Sequence, residues 1–380
     1  MTLVGYELKK LLRLPALWVF LVLCLALNCL LVFSGNSGRD FFNETSAAAS
    51  VLGQRVDENF PRLLSAMPHT ENRDILLSSV TDLTDPFDSY DTAALSEVYE
   101  KQAGNSPIAV AWLQQKYDTL SPRVVALAGE DTGMDLYAGP ITHDSHQFLF
   151  GTLLRAISAE SSILGVLIVL YLFGYEHMVK TELAVCTMRK GRRLWQTKAA
   201  AGIIAALLMF LALTLLSLSV YFSVWDYSGI WNANVSSQFN YIQELFVVKP
   251  FLTWGDFTVA GYLAASLGMI AALTIIFCLA AAILGFLIRN TYTAAVLLLL
   301  LCAGGISLEA AFSNLGLWTA YALSCFQPIS LWMTQNLWFT ESGISTILPW
   351  QEIITACLWL LLGGGGTALA LRRFYRKDLA

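Results

Sequence analysis

Charge is scarce in this chain: Asp, Glu, Lys and Arg make up 13% of its 380 residues, while 56% are hydrophobic. A soluble protein carries about 25% charged residues, so soluble domains throughout are excluded. Recognisable chemistry is missing as well. There is no GxxxxGK[ST] run to cradle phosphates, no HExxH pair and no nucleophile elbow. The glycine run Gly363 to Gly366 has no lysine after it and sits in an apolar stretch, where small residues permit close helix packing. His143, Asp144 and His146 are the one metal-like grouping and supply too few ligands for a defined site, so no metal is expected. A formal net charge of −5 gives no basic surface for nucleic acid. The sequons Asn43-Glu44-Thr45 and Asn234-Val235-Ser236 matter only in a glycosylating pathway and are read as chance occurrences.

What is present in abundance is apolar sequence gathered into long runs. About eighteen consecutive apolar residues suffice for a helix to cross a bilayer. Six such spans are expected, at 16–33, 148–174, 199–224, 257–288, 292–311 and 350–371. The first run exceeds the apolar core of a secretory leader and is expected to stay as an uncleaved anchor.

Lys and Arg set the orientation. With the N-terminus inside, the short inner segments hold Lys9, Lys10, Arg13, Lys180, Arg189, Lys190, Arg192, Arg193, Lys198, Arg289, Arg372, Arg373, Arg376 and Lys377, more than half of the 23 basic residues. The positive-inside rule then predicts both termini, with the 372–380 tail, to be cytoplasmic. Trp18, Trp225, Trp254, Trp338 and Trp350 fall near span ends, where aromatic rings settle.

Residues 34–147 form an outer domain with seventeen acids against seven bases, a net −10. It has no cysteine, so no disulfide staples it. Ser106 before Pro107, Ser121 before Pro122, and Asp91 or Thr92 read as helix starts. Ala109, Trp112, Leu113, Tyr117 and Leu120 make one apolar helical face. The domain is predicted to be mainly α. Segment 225–256 is a second outer loop. In 312–349, an apolar stretch from Leu317 to Leu337 is broken by Cys325-Phe326-Gln327-Pro328 into pieces too short to span, which predicts a re-entrant or interfacial hairpin. The fold expected is an all-α polytopic membrane protein with six transmembrane helices.

Ionisable residues at membrane depth are costly and mark sites. Arg155, Glu160, Glu309 and Glu352 all fall toward the outer ends of their spans. They reach water there, or they line an outer vestibule in which Arg155 pairs with Glu309 or Glu352.

Two inner stretches carry the strongest signal. Residues 1–15 contain a basic amphipathic helix, with Lys9, Lys10 and Arg13 suited to the headgroup plane. Residues 175–198 read as a helix with Met178, Leu183, Val185 and Met188 as apolar anchors, broken at Gly191. By composition this is an ordinary basic loop.

Their order along the chain resembles the type 2 permease family of ATP-binding cassette transporters. The matching residues are Glu176, Thr181, Leu183, Thr187, Gly191, Arg192 and Lys198, with Lys180 standing where the family has glycine. The likeness extends over the six-span plan and the broken hairpin, and the outer domain has no match in it. It implies a transport subunit, not an enzyme, in a bacterial plasma membrane, exporting a substrate. It further implies a partner nucleotide-binding subunit that holds ATP and magnesium, since this chain needs no cofactor of its own, and a second permease copy or homologue. The implied coupling helix runs from Glu176 to Lys190 and includes Arg189. Arg192, Arg193 and Lys198 would hold it to lipid headgroups or the partner.

Other classes fit less well. A receptor or immunity-type sensor binding a ligand such as an antimicrobial peptide would need an inner output module, and no inner segment exceeds about 25 residues. An intramembrane enzyme or an ion-coupled transporter working alone would place several ionisable groups near the bilayer centre.

Overall fold

The computed structural model describes residues 3–35, 37–104, 106–181, 185, 194–244, 247–288 and 290–376. Six of its helices are long and apolar enough to cross a membrane: Pro15–Ser34, Gly139–Met178, Leu194–Val224, Val259–Leu287, Thr291–Asn314 and Gln351–Tyr375. The chain is an all-α polytopic membrane protein.

Helix α1 (Leu3–Leu12) is short and amphipathic, with Glu7 and Leu11 buried one turn apart. Pro15 ends the approach by keeping Leu14 extended and then opens α2 (Pro15–Ser34), where its missing N–H costs nothing. This first span buries Leu17, Leu21, Cys24, Asn28 and Val32, one stripe at helical spacing, and leaves its other faces apolar and uncovered. The second span is reached through a short helix, α8 (Thr142–His146), and a π-helical stretch, Gln147–Leu153, before α9 (Leu154–Met178). It is the hub: 67% of its most apolar stretch is buried, against 11% for the fifth span. The third and fourth spans, α10 (Leu194–Val224) and α11 (Val259–Leu287), pack on it. Thr258 caps α11 through the Gly261 N–H, and Asn290 caps the fifth span, α12 (Thr291–Asn314), through those of Tyr292 and Thr293. The sixth, α15 (Gln351–Arg376), lies on the fourth. Gly363 and Gly366 permit that approach: a Cβ on either would press against Leu279 or Ile283.

Between the first two spans stand α3 (Arg39–Leu52), α4 (Phe60–Ser65), α5 (Glu71–Val80), α6 (Thr92–Gln102) and α7 (Pro107–Gly129). Asp91 caps α6 through the N–H groups of Ala93 and Ala94, as one of the two candidates at that start. Ser121-Pro122 is no helix start: α7 runs through Pro122 without a break. An interior proline costs about 3 kcal/mol, and here Leu113, Tyr117, Leu120, Val124 and Leu127 bury a continuous stripe across it. The Ser106 side chain makes no capping bond.

The domain does not close on its own segment. A hairpin of β1 (Tyr241–Gln243) and β2 (Val248–Pro250), with Tyr241 opposite Pro250, comes from the loop between the third and fourth spans. Two short helices, α13 (Trp318–Ser324) and α14 (Pro328–Met333), come from the segment before the sixth. They are separated at Cys325-Phe326-Gln327, where Pro328 opens the second. Leu252 and Trp254 of the loop, with Trp318 and Ile344, pack into the α6–α7 core. Gly229 crosses α3 so closely that a Cβ there would sit 2.6 Å from the Ser50 amide nitrogen.

Candidate functional site

Among the described residues, three groups of charges withdrawn from solvent join segments far apart in sequence. The first is at the end of the bundle opposite the domain. Lys10 of α1 reaches inward, with Nζ 2.8 Å from Glu7 Oε1 and 3.0 Å from Glu176 Oε1, and sits 4.6 Å from the centre of the Tyr175 ring. Lys198 of the third span is fully buried, pairs with Glu176 and donates to the Leu172 carbonyl at 2.5 Å. Two acids and two bases therefore form a neutral collar joining α1, the end of the second span and the start of the third. Of the expected membrane-surface anchors, Lys9 and Arg13 are exposed, whereas Lys10 and Lys198 are not. Lys198 turns inward because Glu176 is the stronger partner in a low-dielectric setting.

Glu176 is thus buried, Met178 is exposed at the tip of the second span, and the Thr181 N–H donates to the Glu176 carbonyl at 2.9 Å. Leu183, Thr187, Met188, Arg189, Gly191 and Arg192, which the sequence places on the coupling segment, lie outside the described residues.

The second place is inside the bundle. Asn28 Nδ2 donates to Glu160 Oε2 at 2.8 Å and to Ser217 Oγ at 3.0 Å, tying the first three spans together. Glu160 is buried here, away from any water-facing vestibule. Interhelical bonds of this type give about 0.6–2 kcal/mol in lipid. Arg155 pairs with neither Glu309 nor Glu352: its guanidinium donates to the Met333 carbonyl at 2.8 Å and to Asn336 Oδ1 at 2.6 Å. Glu309 accepts the Ser330 hydroxyl, and Glu352 is buried. The four residues therefore do not form one vestibule. Glu309 and Glu352 share a wall, and Arg155 and Glu160 each face elsewhere.

The third place is the domain core. Lys116 Nζ lies 2.7 Å from Glu341 Oε1, and Lys249 Nζ 2.6 Å from Glu341 Oε2. Tyr117 donates to Glu341 at 2.8 Å and Tyr99 to Glu244 at 2.7 Å. Burial alone would push the Glu341 carboxyl up, but the two ammonium groups outweigh it and hold it well below the usual carboxylate range. Burial and the Glu341 charge push both tyrosines upward, so they remain neutral donors. His143 and His146 do not converge: His143 Nδ1 is 2.7 Å from the Tyr241 carbonyl, and His146 is packed among Phe150, Phe251 and Tyr262.

Lys116, Asn28 and Glu341 are prominent here and went unremarked in the sequence. Two left a signal. Lys116 falls on the same helical face as Leu113 and Leu120, and Asn28 on that of Leu21 and Cys24. A polar residue on an otherwise apolar stripe calls for a partner. Glu341 carries no such pattern, because its loop has no period. Comparison of the chain with protein-family models, with curated proteins and with solved structures finds no match.

Proposed function

We propose that this chain is the membrane-spanning permease subunit of an ATP-binding cassette exporter in a bacterial plasma membrane, with both termini cytoplasmic and the 34–147 domain outside. ATP and magnesium belong to a separate nucleotide-binding subunit, and a second permease copy or homologue completes the pathway. One observation carries the reading: the collar of Glu7, Lys10, Glu176 and Lys198 braces both ends of the inner 179–193 segment. A segment that transmits a partner's motion must be rigidly rooted, or the motion dissipates before it reaches the spans. The exposed side chains of Met178 and Val179 add apolar surface at its start.

The test is recovery of a complex in detergent. An ATPase chain containing GxxxxGK[ST] should co-purify with the wild type. Replacing Met178, Leu183 and Met188 together by Ala should remove anchors of about 1–3 kcal/mol each, so the partner or substrate-stimulated ATP hydrolysis is lost while membrane levels stay normal. Retention of both partner and transport by the triple variant would reduce the segment to a basic loop.

Orientation is checked separately. Single cysteines at Ser89 and Ser228, both exposed, in a background lacking the seven native cysteines, should react with an impermeant thiol reagent added to intact cells. Cys186 restored alone should not. Labelling of Cys186 from outside inverts the topology and removes the coupling role.

The sensing alternative rests on one feature, an open cavity of about 220 Å³ between α3, α4 and α5, floored by Leu64, Met67 and Leu76 and rimmed by Glu44 and Arg73. A cationic peptide bound there with equal affinity in the presence and absence of the ATPase chain would favour it.

A further inference from the structure

The fifth and sixth spans meet α14 around a small cavity of about 20 Å³ at the domain end of the bundle. That volume holds one water or one bare ion. Glu309 enters from the fifth span and Glu352 from the sixth, while Ser330 and Thr334 come from α14 and its end, and no Lys, Arg or His lines the space. Arg155, the basic residue that the sequence suggests as a partner, is committed to Met333 and Asn336.

The donor set is specific. Glu352 is only 4% exposed, and its Oε2 atom has no hydrogen-bond partner among the described residues. The backbone N–H of Phe339 faces the same carboxylate. The one Ser330 hydroxyl proton is shared between Glu309 and the Ser324 carbonyl 3.2 Å away, and the oxygen keeps its lone pairs for the cavity. The Thr334 hydroxyl donates to the Ser330 carbonyl at 2.9 Å and keeps its own lone pairs. Gln351 is wall and not ligand, since its carbonyl oxygen accepts the Ile347 N–H at 2.8 Å. Two carboxylates and the hydroxyl oxygens of Ser330 and Thr334 thus line one ion-sized space; Ser345 and Thr346, engaged with Tyr321 and the Ser342 N–H, and Cys325 complete its polar wall, and no positive charge balances the carboxylates.

Holding the buried Glu352 carboxylate beside the half-buried Glu309 without a counter-charge is costly, and a cation removes the cost. Carboxylate and hydroxyl oxygens are hard donors and select a hard cation. Two negative charges favour a divalent ion over sodium or potassium. Magnesium retains several waters and needs near-octahedral geometry, for which a one-water space has no room, whereas calcium accepts irregular oxygen shells at 2.3–2.6 Å. We propose that Glu309 and Glu352 bridge a dehydrated, calcium-like divalent cation that clamps α14 to the fifth and sixth spans. The inference is independent of the transport reading, since it concerns only how this end of the bundle is held.

The experiment uses the full chain in detergent, stripped with EDTA and then titrated with calcium chloride. Wild type should retain one radioactive calcium per chain after dialysis, and its thermal midpoint should rise saturably by at least about 3 °C. Magnesium at the same concentration should produce less than a third of that shift. The acidic 34–147 domain will bind calcium diffusely, so the decisive component is the one that the near-isosteric E309Q/E352Q pair abolishes. Should that pair not fold, Ser330→Ala carries the test with an expected affinity loss of about tenfold. The proposal is overturned if wild type retains no stoichiometric calcium at millimolar concentration, if the E309Q/E352Q protein retains it equally, or if Ser330→Ala leaves the affinity unchanged.

Discussion

Glu341→Ala is expected to be the most damaging single change outside the spans. It would leave Lys116 buried without a counter-charge and Lys249 with Glu244 alone, 3.2 Å away, and removing one partner of a buried ion pair costs about 3–5 kcal/mol. Glu341 joins α7 to the β-hairpin and to the segment before the sixth span, beside the Arg123 contacts to Thr253, Gly255 and Asp256. Its loss should therefore loosen the domain from the loops that anchor it. In detergent, tryptophan fluorescence should report a thermal midpoint lower by on the order of 10 °C. Glu341→Gln should fall in between, because an amide oxygen can still accept the Gly343 N–H that the carboxylate now holds at 2.7 Å. A cost below about 1 kcal/mol for the alanine variant, the range of an exposed pair, would mean that water reaches the triad.

The pH dependence has a definite sign. Glu341 is held below its ordinary value in the folded chain. Its contribution is complete above the unfolded glutamate value of about 4.3 and is withdrawn as the pH falls toward the depressed folded one. Wild type should accordingly lose stability below about pH 4 in a component that Glu341→Gln lacks. Equal acid sensitivity of the two proteins would place the titrating group elsewhere.

The second large effect is expected at Glu176. Its replacement by Ala strands Lys198, which is fully buried, and removes one of the two carboxylates that hold Lys10. About 3–5 kcal/mol should again be lost, and α1 should detach from the second span, exposing the 3–14 segment to protease. The informative control replaces the pair, Glu176→Leu with Lys198→Met. Apolar substitution of both partners of a buried ion pair is often neutral, so stability should return to within about 1.5 kcal/mol of wild type. If the collar roots a moving segment, partner-coupled ATP hydrolysis should stay at least about tenfold down in the stable double variant. Full hydrolysis in that variant would leave the collar a structural tie and nothing more. A Glu176→Ala protein as stable as wild type would remove even that role.

The spans were legible in the sequence because a hydrocarbon layer about 30 Å thick imposes its demand locally: every stretch that crosses must be apolar over its own length. The expected runs at 16–33 and 292–311 differ by one to three residues from Pro15–Ser34 and Thr291–Asn314. The mismatches are at polar ends. The sixth-span helix continues to Arg376 because a backbone ladder, once formed, does not stop where the apolar residues do. The Pro328 break was legible for the converse reason, since proline acts on its own backbone. The β-hairpin at 241–250 was missed, as strands of three residues show no usable period.

What the sequence by itself determined is therefore whatever one segment settles alone: six apolar lengths, the apolar stripe of α7 and the proline that divides α13 from α14. Only the tertiary structure decided the pairings: Lys116 with Glu341 across 225 residues, Asn28 with Glu160 across 132, and Lys198 with Glu176 instead of the headgroups. The physical reason is that periodicity reports which face of a helix avoids water, and a polar residue on that face announces a cost. The energy that offsets the cost comes from another segment, and nothing local records which one.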